Sequence, residues 1–299
     1  MLLEIATAAC GALLLRQHAR RLPVAIGEEC HHKLNVVVTG SSRGLGLAMA
    51  TEFVQRGDSV VISGRNAASV SAARDALLPL ATVHPKQTVV ACVCDVSKAE
   101  DCTRLAEVAC TQLGSVDIWV NNAGVSQHPK EPLASTPPST IAEVISTNLL
   151  GAIFGTRAAM LAMRAGGGTI FTLDGSGSRG NATPNSLAYG ASKAALPQLA
   201  KTLVAETRAT DVRVHLASPG MVTTDLLLRD AKPSALRIFN ILAESPTTVA
   251  KWLVPRVRAT HLTERPSGEY LKFLTPQGVA WRFATAPWRK NRLVEVPTS

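Results

Sequence analysis

The 299-residue sequence has no Cys-x-x-Cys pair among its six cysteines, Cys10, Cys30, Cys92, Cys94, Cys102 and Cys110. That removes the zinc ribbons and dithiol redox motifs that such a pair announces. Cys92 and Cys94 alternate with Val93 in a strand-like run, so the cysteines read as small buried hydrophobes of a reducing compartment. Cys30, His31 and His32 have no fourth ligand at a suitable spacing, which leaves no metal site. A bilayer-spanning helix needs about 20 apolar residues, and the apolar N-terminal run MLLEIATAACGALLL is too short. Its basic residues follow it, the reverse of a secretory signal. Residues 1–32 are therefore an extension read three ways: a transit-peptide remnant, a peripheral membrane helix or an added packing helix. No zinc finger, RNA-recognition signature or basic heptad run accompanies the net charge of +9, which argues against nucleic acid as a partner. No fixed-period repeat occurs, and no proline- or serine-rich linker divides the chain between Lys33 and Leu274.

What is present is a regular alternation. NVVVTG, Asn35 to Gly40, is a β-branched run that stops at glycine, as a strand buried on both faces does. LGLAMATEFVQRG follows with helical spacing, placing Leu47, Ala50, Phe53 and Val54 on one side. SVVIS, QTVVACV, VDIWVN, GTIFTL, VRVHLAS and GEYLKFL supply six more strands, most of them separated by helix-length segments. Strands alternating with helices predict an α/β fold, a doubly wound parallel sheet of Rossmann type in a single domain. The domain runs over 33–275, with a substrate loop and lid at about 218–258 and a basic, Trp-containing tail over 276–299.

The first strand-to-helix junction is TGSSRGLG, Thr39 to Gly46. Its glycines allow a tight turn and close approach of backbone to a ligand, and the helix N-terminus offers free N–H groups to a pyrophosphate. A dinucleotide cofactor is the expectation. The end of the second strand then decides which one. NAD-binding chains place an acid there for the ribose 2′-hydroxyl, whereas this chain has ISGRN. Arg65 there, with Arg43 in the glycine loop, suits a 2′-phosphate, which matches forked guanidinium donors. The cofactor read from these residues is NADPH (NADP+).

Further along stands YGASK, Tyr189 to Lys193. Positions four apart share a helix face. An ammonium about 4 Å from a phenolate at an effective dielectric near 20 stabilises it by about 4 kcal/mol. Lys193 is thus expected to lower the Tyr189 pKa by a couple of units and make it a general acid near neutral pH.

Together these residues resemble the short-chain dehydrogenase/reductase superfamily over about Lys33 to Leu274. The matching stretches are TGSSRGLG, CDV with Asp95, NNAG, STNLLG with Asn148, YGASK and SPGMVTTD. The resemblance implies cofactor contacts from Thr39, Gly40, Ser42, Arg43, Gly44, Leu45, Gly46, Arg65, Asp95, Val96, Asn122, Ala123, Gly124, Tyr189, Lys193, Pro219, Gly220, Val222 and Thr224. It implies catalysis by Tyr189 and Lys193, with Asn148 binding a water that links the lysine to solvent, and with a serine that steadies the substrate oxygen. Superfamily spacing puts that serine at Ser176, thirteen before the tyrosine, while the pattern of the narrower group below favours Ser178; Ser176 is preferred.

TLDGSGSRGNATP, SPGMVTTDLLL and FNILAESPTTVAKWLVPRVR resemble plant and algal chlorophyll b reductase. That implies NADPH-dependent reduction of the 7-formyl group of chlorophyll b to 7-hydroxymethyl chlorophyll a, on a chloroplast thylakoid surface. It also implies a related reductase subunit and a light-harvesting complex as partners, and a homo-oligomer formed through the tyrosine-bearing helix. Two other readings share the same residues: a reductase of another hydrophobic carbonyl, lipid or steroid-like, and a catalytically silent NADP(H)-binding subunit. Lys251 to Ser299 carries nine Lys/Arg against three Asp/Glu, and three of the four tryptophans, Trp252, Trp281 and Trp288. Indole beside cation suits a membrane headgroup layer. The same composition suits a packed C-terminal segment or a basic rim around the cofactor.

Overall fold

The computed structural model of the chain describes residues 32–229 and 231–295. The readings made for the N-terminal extension, and for Cys10 and Cys30 within it, fall outside the described residues.

Seven parallel strands form one sheet in the order β3-β2-β1-β4-β5-β6-β7. They are β1 (Asn35–Val38), β2 (Ser59–Gly64), β3 (Val89–Val93), β4 (Ile118–Asn121), β5 (Gly168–Leu173), β6 (Val212–Ser218) and β7 (Tyr270–Lys272). Each falls within a run expected from the sequence, except that β2 extends SVVIS by Gly64. Side chains alternate between the two faces of a strand, and the cores divide accordingly. Val36, Val38, Val60, Ile62, Ile118, Val120 and Phe171 enter one core. Val37, Val61, Trp119, Ile170 and Val214 enter the other. A sheet covered on both faces needs continuous apolar strands, which explains why β1 is buried at all four positions.

On the first face, α1 (Gly44–Gln55) buries Met49, Ala50, Phe53 and Val54. It packs against α9 (Pro246–Leu262), which buries Leu253, Val254 and Val257 in the same core. The fully buried Asp58, at the head of β2, pairs with Arg258 of α9 and accepts the Leu34 N–H at 2.9 Å. Removing the arginine would strand a buried carboxylate, a cost of about 3–5 kcal/mol. α2 (Ala67–Leu77) is capped by Asn66, whose side chain accepts from Ser69 N at 2.8 Å.

The opposite face is covered by α3 (Ala99–Leu113), by the run from α4 (Pro138–Ile145) through a π-helical turn at Ser146–Leu150 into α5 (Gly151–Ala162), and by α6 (Leu187–Glu206). The run Pro138–Ala162 is long and apolar enough to cross a membrane, but half of its most apolar window is buried inside the fold, as a core helix requires. Two short lid helices follow β6, α7 (Asp225–Leu228) and α8 (Pro233–Leu242); α10 (Pro276–Ala284) follows β7. The strand order reverses between β1 and β4, so the carboxyl ends of these two strands open a crevice where ligands of such sheets bind.

Candidate active site

The loop after β1 is bolted to the loop after β4. The Thr39 hydroxyl accepts from Asn122 N at 3.0 Å and Ala123 N at 3.1 Å. Asn122 Nδ2 donates back to the carbonyls of Thr39 and Gly40 at 2.8 and 3.1 Å. Gly40 takes φ +63°, and a Cβ on it would come within 2.7 Å of Ala123 Cα, so only glycine fits this approach. Ser41 ties the same loop to β2: its hydroxyl donates to Val38 O at 2.6 Å and accepts from Ser63 N at 2.9 Å.

At the start of α1 no side chain caps the first turn, and that turn holds no acid. Its N–H groups therefore face the crevice unmatched, which suits the phosphates of a dinucleotide. Arg43 and Arg65 stand exposed at the two expected places. Arg43 meets Asp225 of α7 at 3.5 Å and Arg65 meets Glu143 of α4 at 3.1 Å. Solvated pairs of this kind contribute little, so a phosphate can displace either carboxylate. Asp95 begins the loop after β3; its Oδ1 accepts from Ser97 N and Oγ at 3.1 and 2.8 Å, while its own N–H donates to Asp101. Thr224, at the N-terminus of α7, lies over the glycine loop, where a Cβ on Gly44 would touch its methyl at 3.4 Å.

The polar centre lies where β5 ends. Lys193 is 6% exposed, and its Nζ donates to the Leu173 carbonyl at 3.0 Å. Its ammonium stands 6.0 Å from the centre of the Tyr189 ring. Asn148, in the π-helical turn, is clamped by Val125: Oδ1 accepts from its N–H at 2.8 Å and Nδ2 donates to its carbonyl at 3.0 Å. Asn148 Nδ2 also reaches Ser192 Oγ at 3.1 Å, and that hydroxyl donates to Tyr189 O at 2.7 Å. The wider π turn thus carries a buried amide that braces the tyrosine helix.

The protonation of the pair departs from expectation. Burial, then the charge of Asp174, push the Tyr189 phenol up to about 12 rather than down. Burial lowers the Lys193 ammonium to about 8, against the pull of Asp174. Burial is the larger cause of both shifts, and the charge of a carboxylate absent from the spacing argument acts on both groups. Asp174 is 5% exposed. Its Oδ2 accepts from Ser178 Oγ at 2.8 Å and from the Tyr270 hydroxyl.

Ser176 is exposed and its hydroxyl makes no hydrogen bond among the described residues, while Ser178 is committed to Asp174. An adjoining hollow of about 460 Å³ runs along α6, lined by Leu133, Thr183, Pro184, Leu187 and Ala191. Tyr189, Lys193 and Ser176 do not line it, though their neighbours Gly177 and Gly190 do.

With this geometry in place, comparison with known proteins settles the family. The sequence profile described as short chain dehydrogenase matches residues 34–233. The chain belongs to the short-chain dehydrogenase family. A protein of Oryza sativa subsp. japonica named probable chlorophyll(ide) b reductase NYC1, chloroplastic, is 41% identical over 272 residues, covering 86% of this chain and 53% of the relative. A second rice protein, chlorophyll(ide) b reductase NOL, chloroplastic, is 42% identical over 247 residues, covering 81% of this chain and 71% of the relative. The chain thus spans about half the length of the first relative. Among solved structures, a 7 alpha-hydroxysteroid dehydrogenase complexed with NADH and 7-oxo glycochenodeoxycholic acid superposes with a TM-score of 0.69. It is 26% identical, and the match covers 80% of this chain and 93% of that one.

In this short-chain dehydrogenase the residues singled out from the sequence gather at the carboxyl edge of the sheet. Tyr189, Lys193 and Asn148 converge, and Ser176 lies in the loop after β5. Several groups of the site were not anticipated. Tyr270 and Ser41 reach it through contacts with partners distant in the chain. Glu244 is another: Val222 pairs with it in a parallel bridge, Thr223 N donates to its carbonyl at 2.9 Å, and its own N–H donates to Met221 O at 3.0 Å. It therefore holds the loop that carries Thr224. Its carboxylate collects Arg289, Arg292 and Arg282 at 2.7, 2.8 and 3.1 Å. The tail is a packed segment in this respect. Trp252 is packed as well, between Arg256 at 4.2 Å and an edge-on Phe273 at 5.4 Å.

Proposed function

We propose that this chain reduces the 7-formyl group of chlorophyll b to the hydroxymethyl group of 7-hydroxymethyl chlorophyll a, with NADPH as the reductant. The observation that carries the substrate is the resemblance to two relatives named chlorophyll(ide) b reductase, at about 40% identity over most of this chain. What supports the chemistry is the Tyr189, Lys193 and Ser176 constellation beside a crevice shaped for a dinucleotide. When bound, the reduced nicotinamide supplies a hydride to the formyl carbon.

The chain's own residues handle the oxygen. Tyr189 gives its phenolic proton to the formyl oxygen as negative charge develops there. The Ser176 hydroxyl, free of other partners, steadies the same oxygen by a hydrogen bond. Lys193 stabilises the resulting phenolate until it is reprotonated. The products are a primary alcohol and the oxidised cofactor. NADPH in preference to NADH rests on Arg43, Arg65 and the missing acid after β2.

A chloroplast location follows the names of the same relatives. For peripheral contact with a membrane, the support is the outer face of lid and tail. Trp281 and Trp288 are 70% and 80% exposed, and Phe283, Ile238, Arg229, Lys232 and Lys290 are exposed as well. The tail's arginines face inward to Glu244, and its indoles face out. Incubation of the purified protein with NADPH and chlorophyll b, followed by chromatography, tests the function. Appearance of the hydroxymethyl pigment supports it; turnover of lipid or steroid ketones with none of chlorophyll b overturns it.

A further inference from the structure

Asp174 is a buried acid just past the end of β5. Its N–H completes the ladder to Ala217 O at 2.9 Å, and its carboxylate meets a serine of the loop after β5 and a tyrosine of β7. No cation forms an ion pair with it among the described residues. Oδ2 is held from two sides, by Ser178 Oγ at 2.8 Å and by the Tyr270 hydroxyl, while Oδ1 is buried with no hydrogen-bond partner. Burying an ionised group in this way is costly unless something nearby uses its charge.

The groups that face it come from every neighbouring element. From α6 come Tyr189 and Lys193, and Lys193 is bonded to the carbonyl of Leu173, the preceding residue. From β7 comes Tyr270, with the Lys272 ammonium 4.2 Å over its ring. From the loop come Ser178 and Arg179. β6 offers the Ala217 backbone, and the nearest titratable side chain on that strand is His215, which burial holds neutral, down to about 4. Gly175 closes the arrangement, since a Cβ there would collide with the Tyr189 hydroxyl oxygen. The Tyr189 hydroxyl therefore occupies the space left by the missing side chain of Gly175, the neighbour of Asp174 in the chain.

We propose that Asp174 is a positioning residue of the reaction, whose charge keeps Tyr189 and Lys193 protonated before the substrate arrives and whose hold on Ser178 leaves Ser176 as the hydroxyl that meets the substrate oxygen. This rests on the reductase reading above. A hydroxyl has one hydrogen, and that of Ser178 is spent on Asp174. A neighbouring carboxylate opposes formation of the phenolate and favours the ammonium, so both groups retain protons to a higher pH than they would without it. A loaded Tyr189 is the form that carbonyl reduction consumes.

The chain has two tyrosines, Tyr189 and Tyr270. Tyr270→Phe therefore leaves Tyr189 as the only phenol, and its ionisation can be followed by ultraviolet difference titration. The comparison is Tyr270→Phe against Tyr270→Phe with Asp174→Asn, both saturated with NADP+; asparagine keeps an acceptor oxygen for Ser178. The Tyr189 midpoint is expected about one pH unit or more lower when Asp174 is neutral. Coincident midpoints would overturn the proposal. Should the asparagine variant fail to bind NADP+, Asp174→Ser repeats the comparison with a smaller neutral side chain. A second arm measures the pH profile of kcat/KM with NADPH and chlorophyll b for the unmodified protein and Asp174→Asn. The alkaline limb is expected to move toward acid by a similar amount, whereas a merely structural role lowers the rate at every pH with the limb unmoved. Separated titration midpoints without turnover of chlorophyll b would uphold the role of Asp174 and remove the substrate assignment.

Discussion

Replacing Glu244 with glutamine removes one negative charge from a site that organises three arginines. The side chain is 10% exposed, and the side chains of Arg282, Arg289 and Arg292 are 13%, 19% and 30% exposed. Losing one partner of a buried ion pair costs about 3–5 kcal/mol. These arginines lie near the rim and also bond to carbonyls at the end of α8: Arg289 to Ile241, Arg282 to Leu242 and Arg292 to Ala243. Those contacts survive the substitution, so about 2–3 kcal/mol is the expected loss, below that range. It falls on the tail and on the Val222–Thr224 loop. Limited proteolysis should then cut the tail at least tenfold faster, since about 1.4 kcal/mol is a factor of ten. KM for NADPH should rise more than kcat falls, because Thr224 is displaced while Tyr189 and Lys193 stay in place. Proteolysis and KM equal to those of the unmodified protein would refute the reasoning.

Four further outcomes are expected. The Glu244 cluster gives a pH dependence. Burial by itself would raise its carboxyl, but hydrogen bonds from Arg292 and Arg289 and the charges of Arg292 and Arg282 hold it below the ordinary range. Its stabilisation is complete above the unfolded value near 4.3 and is lost as pH falls through the lower folded value. Protease sensitivity of the tail should therefore appear only on acidification below about pH 4. Arg65→Asp should erode or invert a preference for NADPH over NADH, read by fluorescence titration of both cofactors; equal affinities in the unmodified protein would remove the basis for the assignment. Ser176→Ala should lower kcat by about 10²–10³, the usual value of an oxyanion donor, with Ser178→Ala costing less; the reverse order would reassign the serine. Trp281→Ala with Trp288→Ala should reduce co-flotation with anionic liposomes, and unchanged partition would dismiss the membrane face.

The strands were legible because a buried parallel strand must be apolar on both sides, and NVVV or GTIFTL admits little else. The glycine loop and the Tyr189–Lys193 pair were legible for a similar reason, since turn geometry and helical period fix them locally. Contacts across long sequence separations were not. Tyr270 lies 96 residues from Asp174, and no periodicity links a tyrosine on an edge strand to an acid after β5. The direction of the Tyr189 shift was missed because helical spacing says nothing of burial, the larger cause of that shift. Spacing places Lys193 on the right face but does not reveal that a backbone carbonyl takes its ammonium or that a carboxylate stands opposite. The tail shows a third kind of limit. Its composition suits a membrane surface and a packed strap equally, and the fold divides it residue by residue, arginines inward to Glu244 and indoles outward.

The central claim is that Tyr189 delivers the proton while chlorophyll b is reduced by NADPH. The most direct measurement follows 7-hydroxymethyl chlorophyll a by chromatography for the unmodified protein and for Tyr189→Phe, with NADPH binding measured on both. The account predicts steady product from the first, none above background from the second, and closely similar NADPH affinities, because only the phenolic proton has been removed. Substantial product from Tyr189→Phe, or none from the unmodified protein with NADPH bound, would contradict it.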